Sequence, residues 1–188
     1  MELEKEVRYA INHKTKKKII ENTSLFKERM EMLDITCGYS GFDSYAKYGY
    51  ICRVRQKGDK KTLEVKNYSS SNECVEQTIS LDKVSDGVNY LKLIGMKPYL
   101  YLKRYREVRK YKDLKIFIDE FDIIGDYVEI EYQDSKNAKS ELSEFINTVG
   151  IKGTPEDMYG GIVKDKLEND KEFEKLFFDN LEKILLEQ

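Results

Sequence analysis

Polar and apolar residues alternate along several short stretches of this chain, and a period of two predicts β-strands. The first stretch, ELEKEVR at residues 2–8, places four charged side chains on one strand face: Glu2, Glu4, Glu6 and Arg8. Successive side chains of a strand point to opposite faces, so three carboxylates here would stand in a row. Because like charges repel, the pattern indicates that something cationic lies against this face.

The same alternation predicts seven further strands, at residues 26–37, 50–57, 62–68, 75–81, 99–111, 114–122 and 127–133. Gly58 and Asp59 separate two of them and are typical of a hairpin turn. Residues 38–48 are rich in Gly, Ser and Asp and predict a loop.

A helical period appears in three other places. Residues 15–21 predict a short basic helix, and residues 84–94 predict a second one that ends before Gly95 and Pro98. From residue 138 onward the pattern is helical and includes PEDMYGGIVKDKL. The last helix has a wide apolar stripe, which we expect to pack on the outside of the barrel or to close one end of it, with dimerisation as the second alternative. The sequence predicts a single α+β domain over 1–188, with 138–188 as its helical part. Eight antiparallel strands are about the number that closes a barrel.

Composition narrows the function classes. The chain has 188 residues, of which 36% are charged, and a net charge of −2, so it lacks the basic excess of a general nucleic-acid binder. No apolar run is long enough to span a membrane, and the first residues show no secretion signal, so we expect a cytoplasmic protein. The three dispersed cysteines predict reduced thiols and no zinc site or disulfide framework.

The candidate chemistry is restricted to charged side chains. His13 is the only histidine, and neither GxGxxG nor a Walker-type glycine loop is present. A metal would therefore have to be held by carboxylates, which favours Mg²⁺ or Mn²⁺, and phosphate would have to be bound by Lys and Arg.

Most predicted strands have one apolar face and one charged face. Carboxylates group on the first and last strands, and cations group on others, at Arg53, Arg55, Lys66, Arg104 and Arg106. Such faces either meet solvent on an open sheet or line the inside of a closed one. In the second case, the carboxylates would hold a divalent metal and the cations a polyanion such as a polyphosphate.

Several motifs, in consistent order over residues 2–165, resemble the CYTH superfamily of triphosphate tunnel enzymes. ELEKEVR resembles its ExExK signature, read as Glu4-x-Glu6-x-Arg8, with Arg in place of the usual Lys. LDIT, CRVR, LEVK, ECVEQ and KRYREV resemble later elements; Thr36 replaces a tyrosine and Cys74 stands where a Glu usually lies. IDEFDIIGDYVEIE is the most specific match.

The resemblance implies an eight-stranded antiparallel tunnel with helices packed outside, which binds a triphosphate together with Mg²⁺ or Mn²⁺. The implied catalytic residues are Glu4, Glu6 and Arg8. The implied triphosphate ligands are Arg53, Arg55, Lys66, Arg104 and Arg106. The implied metal ligands are Glu4, Glu6, Glu76, Asp119, Glu129 and Glu131. Relatives are usually dimers, so the resemblance also allows a homodimer.

The resemblance leaves the reaction open among three alternatives. TPEDMYGGIV, residues 154–163, loosely resembles an element of class IV adenylyl cyclase-like sequences, which favours conversion of ATP to cyclic AMP and pyrophosphate. A triphosphatase acting on tripolyphosphate, thiamine triphosphate or nucleoside triphosphates is the second alternative, and a non-catalytic polyphosphate-binding or nucleotide-binding module is the third. A cyclase must also hold a nucleoside, for which Lys5, Tyr48, Tyr50 and Tyr99 are candidates, although ordinary strand packing is the better explanation of these side chains.

Overall fold

The computed structural model describes residues 4–68, 74–133, 135–156 and 158–187, and for Glu4, Tyr68, Cys74 and Val75 the backbone only. Within these residues the strands are β1 Glu4–Ala10, β2 Ser24–Gly38, β3 Tyr50–Lys57, β4 Lys60–Tyr68, β5 Cys74–Leu81, β6 Lys97–Tyr111, β7 Leu114–Phe121 and β8 Gly125–Gln133. The helices are α1 His13–Asn22, α2 Ser44–Tyr48, α3 Val84–Leu93, α4 Lys136–Val149, α5 Tyr159–Asn169 and α6 Lys171–Glu187.

The eight strands form one antiparallel sheet in the order β1-β8-β7-β6-β2-β3-β4-β5. The predicted α+β class and the eight predicted strands are therefore confirmed. β1 and β5 are the edge strands of this hydrogen-bonded order among the described residues. Closure of the sheet into a barrel is thus not confirmed and stays a proposal.

Two predictions from the sequence are wrong in detail. The predicted loop at 38–48 contains a 3₁₀ turn, Gly41–Asp43, followed by α2, which ends at Gly49 with a positive φ of 73°. The helix predicted from Pro155 begins only at Tyr159. The Glu156 amide donates to the Arg8 carbonyl at 2.8 Å, so this segment is held against the end of β1 instead of starting a helix.

The chain divides into two compact units, Met1–Met30 with Arg104–Met158 and Glu31–Lys103 with Tyr159–Gln188. The strands β2 and β6 each run from one unit into the other. The single domain over 1–188 stays a prediction.

In the first unit, α1 and α4 cover the apolar face of β1, β7 and β8. Its core includes Ile19 of α1 and Phe145 of α4, packed with Ile116, Ile118 and Ile130 of the strands. Both helices begin with a side-chain cap, which satisfies an amide of the first turn: Asn12 accepts from the Thr15 amide, and Ser135 accepts from the Ala138 amide. Several of the residues that alternate with this core are charged, among them Lys115, Asp119, Glu129 and Glu131.

In the second unit, α3 and α6 cover the apolar face of β3 and β4. Val54 and Leu63 pack with Val88 and Leu91 of α3, and Ile184 and Leu185 of α6 lie against the same cluster. The last helix therefore packs on its own unit, as one of the two sequence interpretations expected. Among the described residues, no helix has the length and apolarity that crossing a membrane requires.

Candidate functional site

The first charged cluster lies on the face of β1, β6, β7 and β8 opposite the helices of the first unit. It consists of Glu6, Arg8, Arg104, Arg106, Lys115, Asp119, Glu129 and Glu131. The strand register brings these residues together: Arg8 lies opposite Glu129, Glu6 opposite Glu131, Arg106 opposite Asp119 and Lys115 opposite Glu131. Cross-strand neighbours have Cβ atoms about 5 Å apart, which places their charged ends within contact distance.

Asp119 is the centre of this cluster and is fully buried, with 0% of its surface exposed. Arg106 donates from Nε to Asp119 Oδ1 at 2.6 Å and also from Nη2 to Oδ2. Arg104 Nε lies 3.5 Å from Asp119 Oδ1. A two-point contact with a buried carboxylate fixes the plane of the Arg106 guanidinium.

Glu129 joins two cations of the cluster. It accepts from Arg8 Nε at 2.8 Å and from Arg106 Nη2 at 3.2 Å. Arg8 also contacts Glu6, and Lys115 contacts Glu131. The row of carboxylates that begins on β1 is therefore balanced by arginine and lysine side chains in this structure, which accounts for part of the pattern seen in the sequence.

The second charged cluster lies on β2 to β5 of the second unit and consists of Asp34, Arg53, Arg55, Thr62, Glu64, Lys66 and Glu76. Asp34, 2% exposed, accepts from Arg55 Nε at 2.6 Å and from Arg55 Nη2 at 3.0 Å. Arg53 Nε donates to Glu64 at 2.9 Å, and Thr62 donates to the other oxygen of Glu64 at 3.0 Å. The arrangement repeats the pairing of arginine with a buried carboxylate found in the first cluster.

Lys66 and Glu76 pair at the outer part of this cluster, with 2.8 Å between Lys66 Nζ and Glu76 Oε2. The hydrogen bond from Lys66 lowers the pKa of Glu76 below its ordinary value of 4.5, and the charges of Lys66, Arg53 and Arg55 lower it further. Glu76 is consequently ionised near neutral pH.

The sequence-predicted residues fall into these two groups. Of the implied triphosphate ligands, Arg104 and Arg106 belong to the first cluster and Arg53, Arg55 and Lys66 to the second. Of the implied catalytic and metal-binding residues, Glu6, Arg8, Asp119, Glu129 and Glu131 belong to the first cluster and Glu76 to the second. The side chain of Glu4 and that of Cys74, the residue in place of the usual Glu, lie outside the described part.

Four cluster members were assigned no catalytic or binding role from the sequence: Asp34, which belongs to the LDIT motif, Glu64, which alternates onto the charged face of its strand, Thr62 and Lys115. Each stands two residues from, or directly across a ladder from, a residue that was singled out. Strand parity could have indicated them, but the pairing of strands that selects their partners cannot be read from one sequence.

The carboxylates of the first cluster are suitable ligands for a divalent metal, but in this structure the positions of the described ones do not form a complete site. Among the described residues, no three acidic, histidine or cysteine side chains are already placed to hold an ion together. Glu6 and Glu131 nevertheless face each other across β1 and β8, with Glu129 two residues away. Carboxylate oxygens are the ligands that Mg²⁺ and Mn²⁺ prefer, so the residue types fit such an ion.

Comparison with solved structures shows the same fold in several proteins. A conserved hypothetical protein from Pyrococcus furiosus has a TM-score of 0.67 and 20% identity, over 85% of this chain and 99% of that chain. A candidate adenylate cyclase from Vibrio parahaemolyticus has a TM-score of 0.64 and 16% identity, over 87% of this chain and 98% of its own.

A candidate adenylyl cyclase from Hippeastrum, described as having a dominant triphosphatase activity, has a TM-score of 0.61 and 16% identity, over 87% of this chain and 94% of its own. At such identities the similarity establishes the fold alone. No curated protein sequence gives a significant match.

The sequence itself carries the family assignment. The CYTH domain model matches residues 2–152, which include all eight of the described strands and both charged clusters. This match covers most of the chain and agrees with the resemblance drawn from the ordered motifs. The chain belongs to the CYTH family.

Proposed function

We propose that this protein is a divalent-metal-dependent enzyme that acts on a triphosphate, with hydrolysis as its reaction. The observation that carries the proposal is the pair of charged clusters, in which arginines are oriented by buried carboxylates at the positions of the family motifs. Phosphoryl transfer depends mainly on positioning and on neutralising charge, and oriented cations supply both.

The proposed triphosphate ligands are Arg53, Arg55, Lys66, Arg104 and Arg106. Asp34 holds the Arg55 guanidinium in a fixed plane, and Asp119 does the same for Arg106. These side chains therefore lose little further conformational entropy when phosphate oxygens bind to them. Asp34 acts as a positioning residue in this account, and Asp119 orients Arg106 in addition to its proposed role as a metal ligand.

The proposed metal ligands are Glu4, Glu6, Glu76, Asp119, Glu129 and Glu131. A bound Mg²⁺ or Mn²⁺ polarises phosphoryl oxygens and neutralises part of the triphosphate charge. Glu6, Glu129 and Glu131 contact Arg8 and Lys115 in this structure, so these carboxylates would exchange cation partners on taking up the ion.

Arg8 replaces the lysine of the family signature, and this limits its role. A guanidinium keeps its proton at any physiological pH, so Arg8 cannot act as a general base. Its contacts with Glu6 and Glu129 support a role in positioning both carboxylates and in stabilising negative charge.

Hydrolysis is preferred to cyclisation because it requires contacts to the phosphates and water alone. Two of the side chains considered for holding a nucleoside pack against aromatic neighbours: Tyr99 lies 5.0 Å from Phe42, and Tyr50 lies 6.1 Å from Tyr48, between ring centroids. Tyr48 contacts Tyr50 and Tyr39 but is still 46% exposed, and this exposed surface is the observation that favours cyclisation as the second candidate.

A phosphorus NMR time course tests the reaction. The purified protein is incubated with ATP or with inorganic tripolyphosphate, each with Mg²⁺ or Mn²⁺. The test variant is Glu4→Gln/Glu6→Gln, and the matched control is Glu182→Gln/Glu187→Gln on the exposed side of α6. We expect orthophosphate release that the test variant loses and the control keeps.

Three other results of this time course would change the proposal. Pyrophosphate and cyclic AMP from ATP would replace hydrolysis with cyclisation. Shifts of the phosphorus signals without turnover would overturn the enzyme and leave a binding module. Release that persists in the test variant would remove Glu4 and Glu6 from the proposed site.

A further inference from the structure

A cavity of about 410 Å³ lies in the first unit, between the start of α1 and the end of α4. These helices pack on the apolar face of the sheet, so the cavity is on the opposite side of the strands from the first charged cluster. It is therefore separate from the residues assigned to triphosphate chemistry.

Three lysines line this cavity, Lys14 and Lys18 from α1 and Lys152 from the segment after α4, and none of the described acidic residues lines it. Among the described residues, none of the three ammonium groups has an ion-pair or hydrogen-bond partner. Lys16, on the same helix, pairs with Glu120 and Asp126 at 3.0 and 3.2 Å. The two α1 lysines that line the cavity, Lys14 and Lys18, are thus those for which the described residues provide no acidic partner.

The remaining wall is partly apolar. Ala10, Val149 and Ile151 form the apolar part. The Nζ atom of Lys18 lies close to Gly150, the residue after α4: a Cβ atom added to this glycine would be 3.4 Å from it. The carbonyl end of a helix carries about half a negative charge, which balances only part of three positive charges. An anion would complete the balance.

We propose that this cavity binds a small phosphate monoester, with the phosphate between the lysines and its organic part against the apolar wall. Lysine binds phosphate as a mobile point charge, and a monoester carries a charge of about −1.5 to −2 at neutral pH. The volume lies within the range of about 300–1,000 Å³ that holds small organic ligands and is larger than orthophosphate needs. The inference does not depend on the proposed function.

A titration followed by methyl NMR tests the proposal, with AMP as the probe at constant ionic strength. Adenosine provides the organic part without charge, and orthophosphate provides the charge without the organic part. We expect AMP to shift the methyl signals of Ala10, Val149 and Ile151, and to bind at least tenfold more tightly than either of the others.

Two charge-matched variants complete the test. Lys14→Gln/Lys18→Gln/Lys152→Gln should weaken AMP binding at least tenfold. Lys136→Gln/Lys175→Gln/Lys183→Gln, which removes three exposed lysines outside the cavity, should change it less than twofold. If the first variant does not fold, Lys152→Gln alone replaces it, because this exposed residue lies outside the helices and should still weaken binding several-fold.

Three results would overturn the proposal. In the first, AMP shifts Val108, on the charged face of β6, and leaves the cavity methyls unchanged. In the second, the two triple variants lose affinity equally, which would show a non-specific charge effect. In the third, adenosine binds as tightly as AMP.

Discussion

At the scale of single residues, the buried carboxylates are important for stability and, in the proposed function, for orienting the arginines that bind phosphate. Asp119 has no exposed surface, and its charge is compensated by Arg104 and Arg106. Arg104 is itself buried, so removing the carboxylate charge takes a nearby negative charge away from a buried guanidinium. Removing one partner of a buried ion pair strongly destabilises a protein, because the other charge stays buried. Replacing the whole pair with apolar side chains costs far less.

We therefore expect Asp119→Asn to lower the free energy of unfolding by about 3 kcal/mol. Glu120→Gln is the matched control on the same strand. Glu120 pairs with Lys16 and Arg29 while partly exposed, so its loss should cost no more than about 1 kcal/mol. Urea denaturation of both variants gives the comparison, and equal losses would contradict the assigned burial of Asp119.

Glu76 gives a prediction about pH. Its pKa is below 4.5 in the folded protein, mainly because of the hydrogen bond from Lys66. A carboxyl whose pKa falls on folding stabilises the protein above its unfolded pKa and loses this effect as pH drops through the folded value. Because both partners are partly exposed, solvent screening keeps the contribution to no more than about 1 kcal/mol.

Glu76→Gln should thus be slightly less stable than the wild type at pH 7, and the difference should vanish as pH falls below 4.5. Urea denaturation at a series of pH values measures it. The control is Glu182→Gln, an exposed carboxylate of α6. If the Glu76→Gln difference persists unchanged in acid, the stabilisation does not come from the ion pair.

At the scale of elements, alternation and periodicity predicted the strands and most helices to within a few residues. β3 was predicted at its observed bounds, since Cys52 and Val54 alternate with Arg53 and Arg55 and Gly58 marks its end. The short α2 was missed because five residues show too little periodicity. Strand pairing could not be predicted from parity, so the contact of Arg55 with Asp34 had to come from the structure.

The contact between α3 and the strands depends on one glycine. A Cβ at Gly87 would lie 2.6 Å from Leu81 Cδ1 and 2.9 Å from Val54 Cγ2. Alanine is the better helix former by about 1 kcal/mol, so intrinsic propensity alone would make Gly87→Ala stabilising. The close approach reverses this expectation, because the helix would have to move away from the sheet.

We expect Gly87→Ala to destabilise the protein by about 1–3 kcal/mol, the usual cost of overpacking a core. Asn89→Ala, at an exposed position of the same helix, should be stabilising by up to about 0.7 kcal/mol, the difference in helix propensity. Thermal unfolding of both variants checks this, and a stabilised Gly87→Ala protein would show that α3 does not pack so closely.

At the scale of the whole molecule, each of the two units carries a charged cluster with the same design. In both, an arginine on one strand makes a two-point contact with a buried aspartate on the neighbouring strand. Most strand faces that meet solvent do not bury aspartates in this way. This repetition agrees with the proposal that the cations of each cluster bind a polyanion.

The most direct test of this claim is the steady-state rate of phosphate release from tripolyphosphate with Mg²⁺, compared among three single variants. Arg55→Gln and Arg106→Gln each remove an oriented cation from one cluster, while Arg29→Gln removes an arginine whose partner is the partly exposed Glu120. We expect the first two to lose about 10²-fold or more in rate, as for loss of an oriented charge-stabilising donor, and the third to stay within about twofold. Cluster variants that fold and keep the wild-type rate, or a wild-type protein that releases no phosphate, would contradict the account.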